Sequence, residues 1–267
     1  MSSLNAELAH ELLHKQRSHG SLKTHFGVHG LIRHREDGCL KIRIPFGSTE
    51  AILINTGGGL AGGDQLSTQL SVGPGAQLSV TSQAAERVYR TLGPAANVAH
   101  EFTVGAGASF HWLPQETILF DGSALQRNMT VRLGGGATFL AVEAFILGRT
   151  AMAETLIQFE LHDTWNIYRA DKLIHAERLT MSGASPHSPA TLNKGRAFAT
   201  VMLIGAHAVM LVPKLRSIVG DNLAISCWNG KLLARLVAED GFQLRKALKA
   251  VLSACLNGEP LPRNWEM

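Results

Sequence analysis

Cysteine is scarce in this chain. Its 267 residues include three, Cys39, Cys227 and Cys255, far apart and with no CxxC pair. That excludes a disulfide framework and a thiolate metal site, and it fits buried thiols in a reducing cytosol. Charged residues are sparse as well, at 17%, which argues against long disordered tails beyond the ends. The net charge of +4 comes from scattered Lys and Arg, with no dense run and no aromatic interleaving, so no nucleic-acid partner is expected. No stretch of about 18 apolar residues occurs, so no membrane-spanning helix is expected. The polar start, MSSLNAELAHELLHKQRSHG, does not read as a signal peptide. A cytoplasmic location follows. There is no G-x-S-x-G elbow, which removes a Ser-His-Asp candidate.

Glycine and apolar residues are plentiful, with 27 glycines and 45% apolar content, enough for a substantial core. The densest glycine stretch is 54-INTGGGLAGGDQL-66, with glycine at Gly57, Gly58, Gly59, Gly62 and Gly63. A phosphate loop of the Walker type needs Lys and then Ser or Thr after the last glycine, opening a helix. Asp64 and Gln65 stand there instead, and 66-LSTQLSV-72 alternates as a strand does. The stretch therefore reads as a tight turn between two strands, with glycine supplying positive φ.

A longer pattern repeats. The segments 70-LSVGPGAQLSV-80, 102-FTVGAGASFHW-112 and 131-VRLGGGATFLA-141 each place G-x-G-A between two alternating strands. Their first glycines, Gly73, Gly105 and Gly134, recur at a period of about 30, and apolar positions before and after the turn correspond. Strand–turn–strand units at that spacing predict a mainly β protein of stacked, β-helix-like or solenoid-like sheets with a few helices. Residues 174–182 and 197–212 also read as strands, the latter on its Val, Ile and Thr content. One helix is expected near the C-terminus: Asp240 caps it with Gln243 three residues on, Leu244, Leu248, Val251 and Leu252 form its stripe, and Asn257-Gly258 stops it. Residues 1–20 read as a flexible or helical arm and 21–267 as a single β-rich domain. The stretch 182–195 is the best candidate for disorder.

Three carboxylates sit in or beside the repeats: Glu116, Asp121 and Glu143. Glu116 has apolar flanks, and a buried carboxylate needs a partner or a proton; Arg87, Arg90 and Arg149 are the candidates. Two such groups can also act as an acid/base pair on a glycoside, which would use Glu116 and Asp121. His10 and His14 have i,i+4 metal-ligand spacing in the arm. His111, between Phe110 and Trp112, reads as structural. The segment 81-TSQAAERVYR-90 follows a strand directly and predicts a polar patch, with Glu86, Arg87, Tyr89 and Arg90, near the glycine turn.

Taken together, INTGGGLAGGDQL, TSQAAERVYR, WLPQETILFDGS, AVEAFILGRTAMAE, and the closing 231–252 and 261-LPRNW-265 resemble, in order, segments of the urease accessory protein UreD (UreH) family. The last two resemble its C-terminal helix and tail. Ala153 stands where the family usually has Gly, and Arg87 where Lys is common. The resemblance implies a non-enzymatic, β-helix-like scaffold that binds UreF, through it the GTPase UreG, and apo-urease. It also implies that nickel is delivered to the urease active site along a polar path inside the protein, with no tightly bound cofactor. On that basis Asp64, Glu86, Glu116 and Glu143 are the expected contacts for nickel in transit. Gly58, Gly59, Gly62, Gly63, Arg87, Tyr89 and Arg90 are expected to serve structure and interfaces, with Asp64 fixing the glycine turn by accepting backbone N–H bonds. The competing readings are a β-helical carbohydrate-active enzyme, and an interaction module whose carboxylates serve only salt bridges.

Overall fold

The computed structural model describes residues 17–45, 47–149, 156–183, 191–219 and 223–266. His10, His14 and Ala153, and half of the stretch expected to be disordered, lie outside them.

The repeats fold as expected, and each is one coil of a solenoid. A strand in the first sheet runs into a glycine turn, and the chain returns as a strand in the second. The pairs are β5 (Gln65–Val72) with β6 (Gln77–Ser82), β8 (Ala96–Val104) with β9 (Ser109–Leu113), and β11 (Ser123–Leu133) with β12 (Thr138–Leu147). Successive coils stack in parallel register, Val72 against Val104 and Val104 against Leu133. Alternation decides which side chains face inward: β8 is strictly buried–exposed from Ala96 to Val104.

The turns stack as closely as the strands do. Gly75 N–H donates to the Ala106 carbonyl and Gly107 N–H to that of Gly135, both at 2.9 Å. The two glycines of each turn are needed for different reasons. Gly75, Gly107 and Gly136 take positive φ near the left-handed well. A Cβ on Gly105 would lie 2.5 Å from Pro74 N, and one on Gly134 2.6 Å from Ala106 N, so the first glycine of an upper coil lets two backbones touch.

The flanking strands complete two sheets. β13 (Phe159–Arg169) extends the first in parallel, and β14 (Lys172–Ser182) closes that edge antiparallel. At the other edge lie β1 (His19–Gly27) and β2 (Gly30–Gly38). The second sheet continues through β3 (Leu40–Arg43) and β4 (Glu50–Asn55) on one side, and β15 (Ala197–Ile204), β17 (Lys231–Ala238) and β16 (Leu223–Trp228) on the other. Two short strands, β7 (Glu86–Val88) and β10 (Thr117–Leu119), line up in parallel with the end of β12 and make a narrow third side to the coil.

One core fills the space between the sheets, and a second lies between the outer face of β12, β15 and β17 and a helical layer. That layer comprises α1 (Val212–Val219), α2 (Gly241–Cys255) and α3 (Arg263–Glu266). Asp240 caps α2 by accepting the Gln243 N–H, and Leu244, Leu248, Val251 and Leu252 are buried. Two expectations change. The 197–212 strand ends at Ile204, and a 3₁₀ turn (Ala208–Leu211) leads into α1, because Gly205 breaks the extended run and Pro213 suits a helical first turn. Residues 231–238, which resemble the family's terminal helix, form β17; paired on both sides, their apolar run packs as a buried strand. Among the described residues no helix is long and apolar enough to cross a membrane.

Candidate functional site

The glycine loop joins β4 to β5, and most of its N–H groups donate within the protein. Leu60 N–H donates to the Arg87 carbonyl at 2.7 Å, Gly63 N–H to that of Ala95 at 3.1 Å, and Gly57 N–H to Asn55 Oδ1 at 2.9 Å. A strand follows the loop, not the helix that a phosphate loop opens. Asp64, 2% exposed, accepts the Ala61 and Ser18 N–H groups, one on each oxygen, at 2.8 Å.

The loop fits against 81-TSQAAERVYR-90. Leu60 bridges to Val88, and Tyr89 Oη donates to the Gly58 carbonyl at 2.9 Å. A Cβ on Gly59 would lie 2.4 Å from the Tyr89 ring, and one on Gly62 1.7 Å from Thr91 Oγ1. Glycine is thus required for close approach as well as for positive φ at Gly58, Gly59 and Gly63. Asn55 ties the two segments together, donating to the Gly59 carbonyl at 3.2 Å and to the Glu86 carboxylate at 3.2–3.3 Å. Burial raises the Glu86 carboxyl above the ordinary range against that hydrogen bond.

Behind this junction lies a cavity of about 300 Å³ within the coil. Exposed Gly58, Gln83, Ala84 and Arg87 form its rim, Glu86 lies near it, and Arg127, Glu143 and His100 are its buried far wall. The wall follows from which inward positions carry polar side chains. Beside the glycine turns the inward rows are apolar, Leu70–Phe102–Val131–Ile167 and Val72–Val104–Leu133. At the other end they become Thr68–His100–Met129–Trp165 and Leu66–Val98–Arg127–Asp163.

The far wall carries a buried charge cluster. Arg127, 6% exposed, holds Asp163 with a fork of Nε to Oδ1 at 3.0 Å and Nη2 to Oδ2 at 3.2 Å. Its Nη1 reaches across to Glu143 Oε2 in the opposite sheet at 2.6 Å. Trp112 and Trp165 donate their indole N–H groups to Glu143 Oε1 at 2.9 Å and Asp163 Oδ2 at 3.1 Å. Two carboxylates face one guanidinium, and burial pushes the Glu143 carboxyl up to about 7, against the pull of Arg127. His100 packs on Trp112 at 4.7 Å between ring centroids. Burial holds its imidazole down to about 3, so it is neutral, and its Nδ1 has no hydrogen-bond partner in the structure.

Of the residues singled out in the sequence, Gly58, Gly59, Glu86, Arg87 and Glu143 line this one cavity. Asp64, Gly62, Gly63, Tyr89, Arg90 and Glu116 do not line it; Arg90 instead bridges to Ser123, and its side chain covers Gly122. Glu116 is buried as expected, but the structure pairs it with Arg245 of α2, with Nη1 at 3.1 Å, not with Arg87, Arg90 or Arg149. A partner 129 residues away cannot be read from local spacing. Asp121 fixes a turn by accepting the Ile157 and Gln158 N–H groups at 2.7 and 2.9 Å, so the two carboxylates are engaged by separate parts of the protein. Arg127, Asp163 and His100 were not among the sequence candidates. Their signal was available: each is a charged or polar residue at an inward position of an otherwise apolar alternation.

Comparison with known proteins identifies the scaffold. The family model for UreD urease accessory protein matches residues 16–266. The chain belongs to the UreD family. It is 43% identical over 238 residues to the urease accessory protein UreD of Agrobacterium fabrum, covering 87% of this chain and 84% of that one. To the UreD of Rhizobium johnstonii it is 45% identical over 239 residues, and to that of Chelativorans sp. 42% over 263 residues, covering 87% and 94% of this chain and 88% and 95% of theirs. A role in urease maturation follows from membership of this UreD family.

Proposed function

We propose that this UreD-family chain is a non-catalytic scaffold of urease maturation, acting in the cytoplasm. It binds UreF, through UreF the GTPase UreG, and apo-urease, and it passes nickel through the interior cavity toward the urease active site. The observation that carries the nickel part is the cavity itself, with Glu86 near an exposed rim and Glu143 on the buried wall. Nickel favours nitrogen and oxygen donors, imidazole included, and the cavity offers carboxylates and one neutral imidazole. Among the described residues no three His, Cys, Asp or Glu side chains cluster closely enough to hold a metal; donors spread singly suit an ion that must leave again. Asp64 and Glu116 support the path from outside, by holding the glycine loop and the end of β10. The helical layer carries exposed Val209, Met210 and Phe242, which supports a protein partner on that side.

The test begins with co-expression of the chain with tagged UreF and UreG, followed by pull-down. Glu86→Gln and Glu143→Gln should leave the complex intact and lower nickel-dependent urease activation. Full activation with both carboxylates removed would refute the path, and failure to co-purify would refute the scaffold.

A further inference from the structure

We propose that Arg127 acts as a fixed internal cation that keeps the cavity wall from trapping a divalent metal ion. The inference rests on the reading that nickel visits this cavity, and it concerns why the ion does not stay. A buried ion pair is seldom the most stabilising way to join two sheets, since apolar residues of similar volume do as well or better. A structural tie would also need only one carboxylate. Here Arg127 holds two, Asp163 by a two-point fork and Glu143 by a single bond, so with both carboxylates ionised the cluster retains one excess negative charge. That excess faces a cavity open at its rim, whose wall also presents His100 with an unpartnered Nδ1.

Glu143 and His100 are the oxygen and nitrogen donors that a nickel ion would find there. Without a nearby cation, the Glu143 carboxylate, with the His100 imidazole on the same wall, would release an ion more slowly. The Arg127 guanidinium lies 2.6 Å from the Glu143 carboxylate, and so within contact range of any ion on that carboxylate. Like charges at such separations oppose each other strongly even at an effective dielectric of about 20. Asp163 and the two indoles hold the guanidinium and both carboxylates in place, so the repulsion is built in. Arg127 is a positioning residue in this scheme: it sets how long the ion stays and does not ligate it.

The test uses the full chain and NiCl₂ alone. Arg127→Gln combined with Asp163→Asn removes the cation and leaves the net charge of the cluster unchanged. The dissociation constant measured by calorimetry should tighten at least tenfold, release to a chelator should slow in step, and adding Glu143→Gln should abolish the gain. Comparing each protein with and without Glu143→Gln cancels nickel bound elsewhere. Should the polar pair not fold, Arg127→Met with Asp163→Leu carries the same expectation, because buried ion clusters tolerate apolar replacement. Equal, Glu143-dependent affinity in wild type and variant would overturn the role of Arg127 and leave the cavity reading standing. If Glu143→Gln changes nickel binding in neither background, both fall.

Discussion

The run Gly134-Gly135-Gly136 allows three neighbouring substitutions that differ only in what the stacked turns demand. A Cβ on Gly134 would lie 2.6 Å from Ala106 N and 2.8 Å from Gly105 C. Both are backbone atoms, so no side-chain rotation relieves the contact, and the third coil must lift from the second. Two hydrogen bonds span that joint: Gly134 N–H to the Val104 carbonyl at 2.7 Å and Gly107 N–H to that of Gly135 at 2.9 Å. Overpacking costs about 1–3 kcal/mol and each of the two strained hydrogen bonds about 1 kcal/mol, so Gly134→Ala should destabilise by about 3–5 kcal/mol. At Gly135 a Cβ meets nothing within 4 Å, and its φ is not in the left-handed region. Gly135→Ala should be neutral, or stabilise by about 0.4–1 kcal/mol through the unfolded chain. Gly136 also has open space, but its φ is +68°, so alanine there should cost about 1–2 kcal/mol. Urea unfolding followed by fluorescence of the buried tryptophans, Trp112, Trp165 and Trp265, should rank the variants 135, 136, 134 from most to least stable. If Gly134→Ala is as stable as Gly135→Ala, close stacking is not what the first glycine supplies, and the account of the repeat is wrong.

Asp64→Ala strands the Ala61 and Ser18 N–H groups, at about 1–3 kcal/mol for each buried donor left unpaired. Hydrogen exchange should quicken across 57–64 while the far coils keep their protection; unchanged exchange would mean that the carboxylate does not hold the loop. Glu143 should give a pH signature. Its folded-state carboxyl titrates near 7 against an ordinary value of 4.5, so the folded protein holds more protons than the unfolded chain in that window. Stability should therefore fall as pH rises from about 4.5 to 7, by up to about 3 kcal/mol, and Glu143→Gln should lose that component; equal pH slopes would refute it. Asn264 donates to the Ser82 and Gln83 carbonyls at 2.9 and 3.2 Å, next to the cavity rim. Asn264→Ala should loosen 82–86 in hydrogen exchange at a cost near 1 kcal/mol, whereas Trp265→Ala, emptying a fully buried site, should cost about 3–5 kcal/mol.

Sequence reading went furthest where a rule is local. Alternation and G-x-G-A punctuation act over a dozen residues, so the coils, their parallel stacking and the cap at Asp240 were legible. The reading failed where tertiary pairing overrides local preference. Residues 231–238 become a strand because β15 and β16 flank them, and Glu116 finds Arg245 through the packing of α2 on the sheet. The cavity wall is an intermediate case. Glu143 drew attention as a carboxylate, but it sits on a strand buried on both faces, where alternation does not say which side a residue serves. Arg127, Asp163 and His100 sit on strands whose alternation is clear. Each interrupts an inward apolar series: Leu125–Arg127–Met129, Leu161–Asp163–Trp165 and Val98–His100–Phe102. An inward Arg or Asp is too costly to bury alone, so two such interruptions on strands one coil apart predict each other. In a parallel stack that inference needs only the register, which the glycine turns already supply. Phase read together with charge marks Arg127, Asp163 and His100 as inward polar positions, which a choice of carboxylates by their apolar neighbours passes over.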